Sequence, residues 1–247
     1  CSQTYIDSII VRPNPAADFS AAQSCGVDTA CLNKAFSFTD ISSAGHFGGI
    51  INAWEWDMLN DGSVEYNTRN PQHIFTQSGT YPVSLKVQTQ YGCSDSIVRQ
   101  IVVLDSITPY YEIDTSIVCG PLDLQVAELS NGPITTYNWE LFGEDPLGNR
   151  TFIFTTGEQN PTSALPTLQP SYTGDTTYVL KLTVSNCCDT VSFERSITLK
   201  PLPVAGVVAL PPFGCSGFEV TFTLDGHTTG DPDSVIIDYG DGTVHSY

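Results

Sequence analysis

Hydrophobic and polar residues alternate along several short stretches of the chain, and turn-forming residues bound each stretch. In one stretch every second residue is apolar, at Tyr81, Val83, Leu85 and Val87. The same spacing returns at Tyr178, Leu180, Leu182 and Val184. A period of two predicts a strand with one buried face. Because threonine, serine, glycine and proline are also plentiful, we expect an all-β protein made of many short strands and turns.

The predicted strands recur in the same order along the chain. The stretch "YPVSLKVQTQYGCSDSIVRQIVVL" (81–104) aligns with "YVLKLTVSNCCDTVSFERSITLK" (178–200), and the opening "CSQTYIDSIIV" matches their second half. A further set of equivalent positions is marked by a cysteine followed by apolar residues five and seven places later: Cys31, Cys119 and Cys215. Trp56, Trp139 and Ile237 share another position. The chain is therefore an internal repeat.

The repeat length is about 95 residues, which suits a β-sandwich module. We predict the last strands of one repeat at 1–13, a whole repeat at 14–104, a divergent repeat at 105–200 and the front half of another at 201–247. Proline lies at or near each join, as in "RPNP" and "KPLP". Short proline-bearing linkers are semi-rigid, so we expect the sandwiches to form an extended rod.

The segment "DYGDGT" begins at Asp238 and contains two aspartates and two glycines. It follows the predicted strand that has Ile237 at the position of Trp56 and Trp139. Asp57 and Asp61 take the same place in the first whole repeat. Asp-Gly at such a position is a turn signal, since both residues tolerate a positive φ. The aspartate spacing does not follow that of a calcium loop. We therefore predict a turn, with structural calcium left open and no catalytic role.

The first whole repeat resembles the PKD domain, which is an immunoglobulin-like β-sandwich module. The resemblance rests on "WEWD", "DGS", "NPQHIF" and "SGTYPVSLKV", with these residues on the family pattern: Trp56, Asp57, Asp61, Gly62, Pro71, His73, Phe75, Gly79, Tyr81 and Val83. The second repeat has lost the Gly-Asp-Gly turn. The resemblance implies tandem PKD-type sandwiches without enzymatic activity. Their cysteines look like those of PKD repeats in giant surface proteins of gliding and other Bacteroidota, which implies a surface adhesin or stalk exported by type IX secretion.

Eight cysteines occur in the chain. Aligning the repeats predicts disulfides between Cys31 and Cys93 and between Cys119 and Cys188, each within one repeat. Cys25 and Cys187 remain as free thiols or as links between chains. A zinc site is the alternative, although the cysteines lack Cys-x-x-Cys spacing and the histidines are scattered. Disulfides would indicate an oxidising, extracellular setting.

The net charge of the chain disfavours some classes of binding partner. With 27 acidic against 9 basic residues, the net charge is −18. Such a charge opposes binding to nucleic acid and to anionic membrane surfaces. No nucleophile elbow, phosphate loop or zinc-protease motif occurs in the sequence. The large aromatic residues are instead predicted to be core residues: Trp56, Trp139, Tyr81 and Tyr178.

A short pattern, Asp followed by Ser or Thr and then a small or apolar residue or Thr, recurs more often than the composition predicts. Its hydroxyl residues are Ser8, Thr29, Ser96, Ser106, Thr176, Thr190 and Ser234. The pattern resembles the O-glycosylation sequon of Bacteroidota. Inheritance through the repeat is the alternative, because Ser8, Ser96 and Thr190 are one repeated position. We predict O-glycosylation at these residues.

Two functions are consistent with the sequence. The first is a non-enzymatic extracellular structural or adhesive region, such as a stalk, filament or adhesin of the cell surface. Its partners would be neighbouring repeats and an unknown surface or glycan ligand, with self-assembly possible. The second is an accessory PKD region of a secreted protease or chitinase, where it would aid substrate binding. No cofactor is predicted for either.

Overall fold

A computed structural model describes residues 9–171 and 174–201, together with four short strands between 207 and 246. This part of the chain consists of strands, turns and loops, which confirms the predicted all-β class. Within it, no helix is long and apolar enough to cross a membrane.

The chain divides into two compact units. The first comprises residues 1–108 with two short segments, 131–135 and 185–190. The second comprises residues 109–130, 136–184 and 191–247. The tight turn at 185–190 therefore belongs to the first unit, although the strands on either side of it belong mainly to the second.

Two four-stranded sheets form the first unit. Their strand orders are β2-β1-β4-β6 and β3-β8-β7-β5. The strands are β1 (Phe19–Gln23), β2 (Gly26–Val27), β3 (Thr29–Cys31), β4 (Ala35–Asp40), β5 (Ile51–Asp57), β6 (Gln72–Ile74), β7 (Gly79–Thr89) and β8 (Ser94–Leu104). Strand β4 shows the predicted alternation, because Phe36 and Phe38 are buried and Ser37 between them is exposed.

The core of the first unit lies between its two sheets. Trp56 is fully buried and packs edge-on against Phe19, with ring centroids 5.1 Å apart. Its indole Nε1 donates a hydrogen bond to the backbone oxygen of Thr68 at 3.0 Å. Val83, Leu85 and Val87 of β7 are fully buried on the same core. Alternation along β4 and β7 thus builds both walls of the sandwich.

The second unit contains a five-stranded sheet, β10-β15-β14-β12-β13, and a two-stranded sheet, β11-β9. Its strands are β9 (Tyr111–Ile113), β10 (Ile117–Cys119), β11 (Val126–Glu128), β12 (Thr136–Glu144), β13 (Arg150–Thr156), β14 (Thr176–Ser185) and β15 (Thr190–Lys200). Trp139 is fully buried beside Tyr111, at a centroid distance of 5.0 Å. The Tyr111 hydroxyl donates to the backbone oxygen of Leu180.

Strand pairing repeats from the first unit to the second. The short strand β3 runs parallel to the end of β8, with Cys31 opposite Leu104. Likewise β10 runs parallel to the end of β15, with Cys119 opposite Lys200. Beyond Lys200 the described strands pair as β16 (Val207–Leu210) with β17 (Thr221–Leu224) and β18 (Ile236–Asp238) with β19 (Val244–Ser246). Cys215 and Ser234 lie outside the described residues.

Candidate functional site: a cysteine clamp and an aspartate turn

Four cysteines come together in the first unit through two disulfides. Cys25 bonds to Cys187, and Cys31 bonds to Cys188. Their Cα–Cα separations are 4.9 and 5.6 Å, which are normal for disulfides. The two bonds are adjacent, since the Cys25 and Cys188 sulfur atoms lie 3.2 Å apart. We call these four residues the cysteine clamp; it holds the 185–190 turn against the β1–β4 region.

Polar contacts support the clamp. The Lys34 ammonium group lies 2.7 Å from the Asp189 carboxylate and also donates to the backbone oxygen of Cys188. Inside the turn, the Asn186 side-chain oxygen accepts from the backbone amides of Cys188 and Asp189, each at 2.8 Å. The ion pair is partly exposed and contributes little by itself. The turn therefore presents its two cysteines in a defined conformation, and the disulfides supply most of the attachment.

The predicted pairing within each repeat is wrong. Cys31 stands opposite Leu104 at the end of β8, whereas Cys93 immediately precedes the start of that 11-residue strand. A strand of this length separates the two cysteines by roughly 35 Å, and a disulfide needs Cα atoms within about 7 Å. The same geometry separates Cys119, opposite Lys200, from Cys188 at the other end of β15. Cys93 and Cys119 are free in the structure.

The prediction that Cys25 and Cys187 are unpaired or link separate chains is also wrong, because they bond to each other. Among the described residues, these are the two cysteines that have no counterpart in the other repeat. This shared property was a signal in the sequence that the two could pair with each other. The structure also bears on the zinc alternative. Zinc binding requires thiolates, which sulfur atoms already joined in disulfides do not offer.

The aspartates after β5 form a tight turn. The Asp57 carboxylate accepts backbone hydrogen bonds from Leu59 and Asp61, each at 3.2 Å, and from Gly62 at 2.8 Å. Asn60 and Gly62 adopt positive φ values of 52° and 92°. Such values favour asparagine and glycine. The turn predicted from Asp-Gly is therefore confirmed for the first repeat.

Carboxylate oxygens of Asp57, Asp61 and Glu65 lie within 4.8 Å of one another. All three groups already accept protein hydrogen bonds. Glu65 Oε2 accepts from the Met58 amide at 2.8 Å, Asp61 Oδ1 accepts from the Ser63 amide at 2.8 Å, and both oxygens of Asp57 are engaged. Their arrangement is explained by the turn. Structural calcium at this turn stays an open alternative, and no catalytic pair follows from the geometry.

We expect Asp57→Asn to destabilise the first unit by about 2 kcal/mol at neutral pH, because the turn loses charge-assisted hydrogen bonds. Burial opposes ionisation of Asp57, but the amides of Gly62, Asp61, Leu59 and Asn60 outweigh it and hold the pKa below 3.8. A lowered pKa stabilises the fold above the unfolded-state value and loses this effect as pH falls through the folded-state value. The difference between wild type and variant should therefore shrink below pH 3.8.

Hydrogen-exchange mass spectrometry on β5 and β7 measures this effect in the first unit alone. Asp61→Asn is the control, because the Asp61 side chain accepts one exposed bond from Ser63 and should change stability by less than about 0.5 kcal/mol. Equal protection in Asp57→Asn and wild type at neutral pH would contradict the assigned role.

The predicted core aromatics are placed as follows. Trp56 and Trp139 are fully buried, which confirms them as core residues. Tyr81 and Tyr178 are half-buried, with Tyr81 packed against the core of the first unit, and their hydroxyls donate to the backbone oxygens of Gln77 and Gln169. Trp54 is also half-buried. The guanidinium carbon of Arg69 lies 5.9 Å from the Trp54 ring centroid.

The described Asp-Ser/Thr triplets differ in exposure. The hydroxyl residues Ser96, Ser106 and Thr190 are exposed, whereas Thr29 and Thr176 are half-buried. Ser8 lies outside the described residues. Ser96 lies on a part of β8 that β3 does not cover, because β3 pairs only with 102–104. Thr190 takes the equivalent place on β15, where β10 pairs only with 198–200.

The fold is that of an immunoglobulin-like β-sandwich. Residues 14–103 match the family model of the PKD domain, which confirms the resemblance for the first whole repeat. No curated protein matches the chain significantly. Among solved structures, fibronectin(III)-like modules of Clostridium thermocellum CbhA are similar at 8% identity and a TM-score of 0.35, covering 70% of this chain and 88% of that one. The N-terminal domains of the bacteriophage RB49 outer capsid protein Hoc are similar at 10% identity and a TM-score of 0.36, covering 94% and 78%.

Proposed function

We propose that this chain is part of a non-enzymatic, extracellular structural or adhesive protein of the cell surface. The observation that carries the proposal is the cysteine clamp. Its two adjacent disulfides require an oxidising compartment, because intracellular thiol systems would keep the same cysteines reduced. PKD-type sandwiches are themselves typically non-catalytic modules.

The mechanical consequence supports the same role. The clamp bonds span 162 and 157 residues, so each closes a very long loop of chain. Pulling on the chain ends cannot extend the segment between residues 31 and 187 unless both disulfides are reduced, because either bond alone bridges it. Resistance to extension suits a region that carries load at a cell surface. The extended rod of sandwiches is part of the proposal.

Surface labelling of the source cells tests the proposal. A membrane-impermeant amine reagent and externally added protease should modify or remove the protein on intact cells, while a cytoplasmic marker stays protected. Deleting the gene should reduce attachment of the cells to surfaces. A protected protein would overturn the extracellular assignment. Hydrolase activity that copurifies on the same polypeptide would instead favour the accessory region of a secreted enzyme.

Glycosylation is the next expectation of the proposal. Sugars at Ser96 and Thr190 would shield the open edges of β8 and β15 from pairing with other strands. We therefore expect hexose on peptides containing Ser96, Ser106 or Thr190, and less on the half-buried Thr29 and Thr176. Glycopeptide mass spectrometry of the protein from its source measures this. Unmodified peptides for all three exposed residues would contradict the prediction.

A further inference from the structure

Two cysteines in the structure have the same position relative to a long strand but differ in their bonding. Cys31 pairs in register with Leu104 at the end of β8, and Leu32 donates a backbone hydrogen bond to Leu104 at 3.2 Å. Cys119 pairs in register with Lys200 at the end of β15, and Gly120 donates to Lys200 at 3.1 Å. Cys31 is bonded to Cys188, whereas Cys119 is free and exposed. The bond from Cys31 to Cys188 therefore indicates the kind of cysteine with which Cys119 can pair.

The complementary position is also present twice. Cys188 lies in the turn between β14 and β15, and Cys93 lies in the turn between the equivalent strands β7 and β8. Cys188 is bonded, and Cys93 is free and half-buried. The observed bond runs from the strand-end cysteine of one repeat to the turn cysteine of the following repeat. Cys119 is therefore a strand-end cysteine and Cys93 is a turn cysteine. Neither is bonded to a cysteine of the complementary kind in the structure.

We propose that Cys119 and Cys93 form further disulfides of the same kind, each with the complementary cysteine of another repeat. Cys119 takes a turn cysteine and Cys93 takes a strand-end cysteine, so one pattern of covalent bonds continues along successive repeats. Because the two positions differ, the linkage is heterologous, that is, head-to-tail. This inference rests on the proposed extracellular function, since the bonds need an oxidising setting.

The chemistry is thiol–disulfide exchange. The thiolate of one cysteine attacks a small disulfide oxidant such as oxidised glutathione, and one glutathione thiol leaves. The second cysteine attacks the mixed disulfide and releases the second glutathione. One S–S bond forms in the protein and one breaks in the oxidant. Two protein thiols thereby lose two electrons and two protons to the two glutathione thiols.

The complementary repeat has two possible sources, namely another repeat of the same polypeptide and a second copy of this chain. The 247-residue chain tests the second source directly, because one copy supplies Cys93 and the other supplies Cys119. Cys1 and Cys215 are replaced by serine in every sample. The Cys93→Ser variant then keeps Cys119 as its single free thiol, and the Cys119→Ser variant keeps Cys93. The clamp cysteines remain bonded in both.

Each variant is incubated alone and as an equal mixture in glutathione redox buffer, and products are followed on non-reducing gels and by peptide mass spectrometry. We expect the mixture to form a Cys93–Cys119 dimer about tenfold faster than either variant forms its own homodimer, because complementary surfaces raise the effective thiol concentration. The parent with both thiols should form a ladder of multimers. The mixture in urea is the control for random encounter.

Peptide mapping of the protein from its source, after rapid alkylation, separates the two sources. A bond from Cys119 to the turn cysteine of a following repeat identifies the same polypeptide, and a bond to Cys93 identifies a second copy. Alkylation of both Cys119 and Cys93 in the native protein would show that they are free thiols and would overturn the inference. If no native bond is found, homodimers that form as fast as the mixed dimer would also overturn it. Surface labelling is independent of these results, so failure of this inference leaves the proposed function standing.

Discussion

Replacing all four cysteines of the clamp by serine is expected to lower the free energy of unfolding by roughly 7 kcal/mol. The first bond closes a loop of 157 or 162 residues, which in the chain-entropy model contributes about 5 kcal/mol. Once that bond exists, the second closes only the short ring through residues 25–31 and 187–188, which adds about 2.5 kcal/mol. A loss of this size is a large part of the stability of an ordinary domain.

This ring argument predicts strong non-additivity. The double variants Cys25→Ser/Cys187→Ser and Cys31→Ser/Cys188→Ser should each lose only about 2.5 kcal/mol, since the remaining bond still closes the long loop. The sum of the two losses should therefore fall short of the loss in the quadruple variant by a few kcal/mol. Additive losses would contradict the shared-loop interpretation of the clamp.

Urea denaturation with hydrogen-exchange mass spectrometry measures both the global loss and its location. The 185–190 turn and strand β3 should lose protection first, because the clamp holds them together. Cys93→Ser/Cys119→Ser is the matched control, since these residues are free in the structure and their replacement should change stability by less than about 0.5 kcal/mol. A quadruple variant as stable as this control would overturn the role of the clamp.

The sheet pattern was predictable because alternation acts locally. Apolar residues at every second position predicted the buried faces of β7 and β14, and the turn after β5 followed from Asp-Gly. Strands β2 and β3 were not predicted, because they have only two and three residues and are too short to show alternation. Strand β2 forms a local hairpin with β1, whereas β3 pairs with the distant end of β8, and a long-range pairing of that kind leaves no periodic signal.

The disulfide pairing was mispredicted for a related reason. An alignment shows which cysteines are equivalent, but it does not show at which end of a long strand each one lies. Pairing within a repeat and pairing from one repeat to the next use the same kinds of cysteine in equal number. The parallel register of Cys31 with Leu104 decides between them, because it places Cys31 a full strand length from Cys93. That register is a tertiary property of β3 and β8.

Replacing either buried tryptophan by alanine is expected to destabilise its own unit by roughly 3–5 kcal/mol, because a large cavity remains in a closely packed core. The indole nitrogen of Trp56 also donates a hydrogen bond to the Thr68 backbone oxygen at 3.0 Å, and that of Trp139 donates to the Glu158 backbone oxygen at 2.9 Å. Trp56→Phe should cost less than Trp56→Ala, since it keeps a ring against Phe19 while leaving the Thr68 oxygen without its donor.

The location of the loss distinguishes the two cores. In hydrogen-exchange mass spectrometry, Trp56→Ala should reduce protection in β4 and β7 and spare β12 and β14, whereas Trp139→Ala should do the reverse. Phe47→Ala is the control, because Phe47 is 74% exposed and its truncation removes little buried surface. If either tryptophan variant lowered protection equally in both sets of strands, the two sandwiches would unfold as one cooperative unit. Loss confined to one set means that each sandwich has its own core, so a lesion in one repeat leaves its neighbour folded.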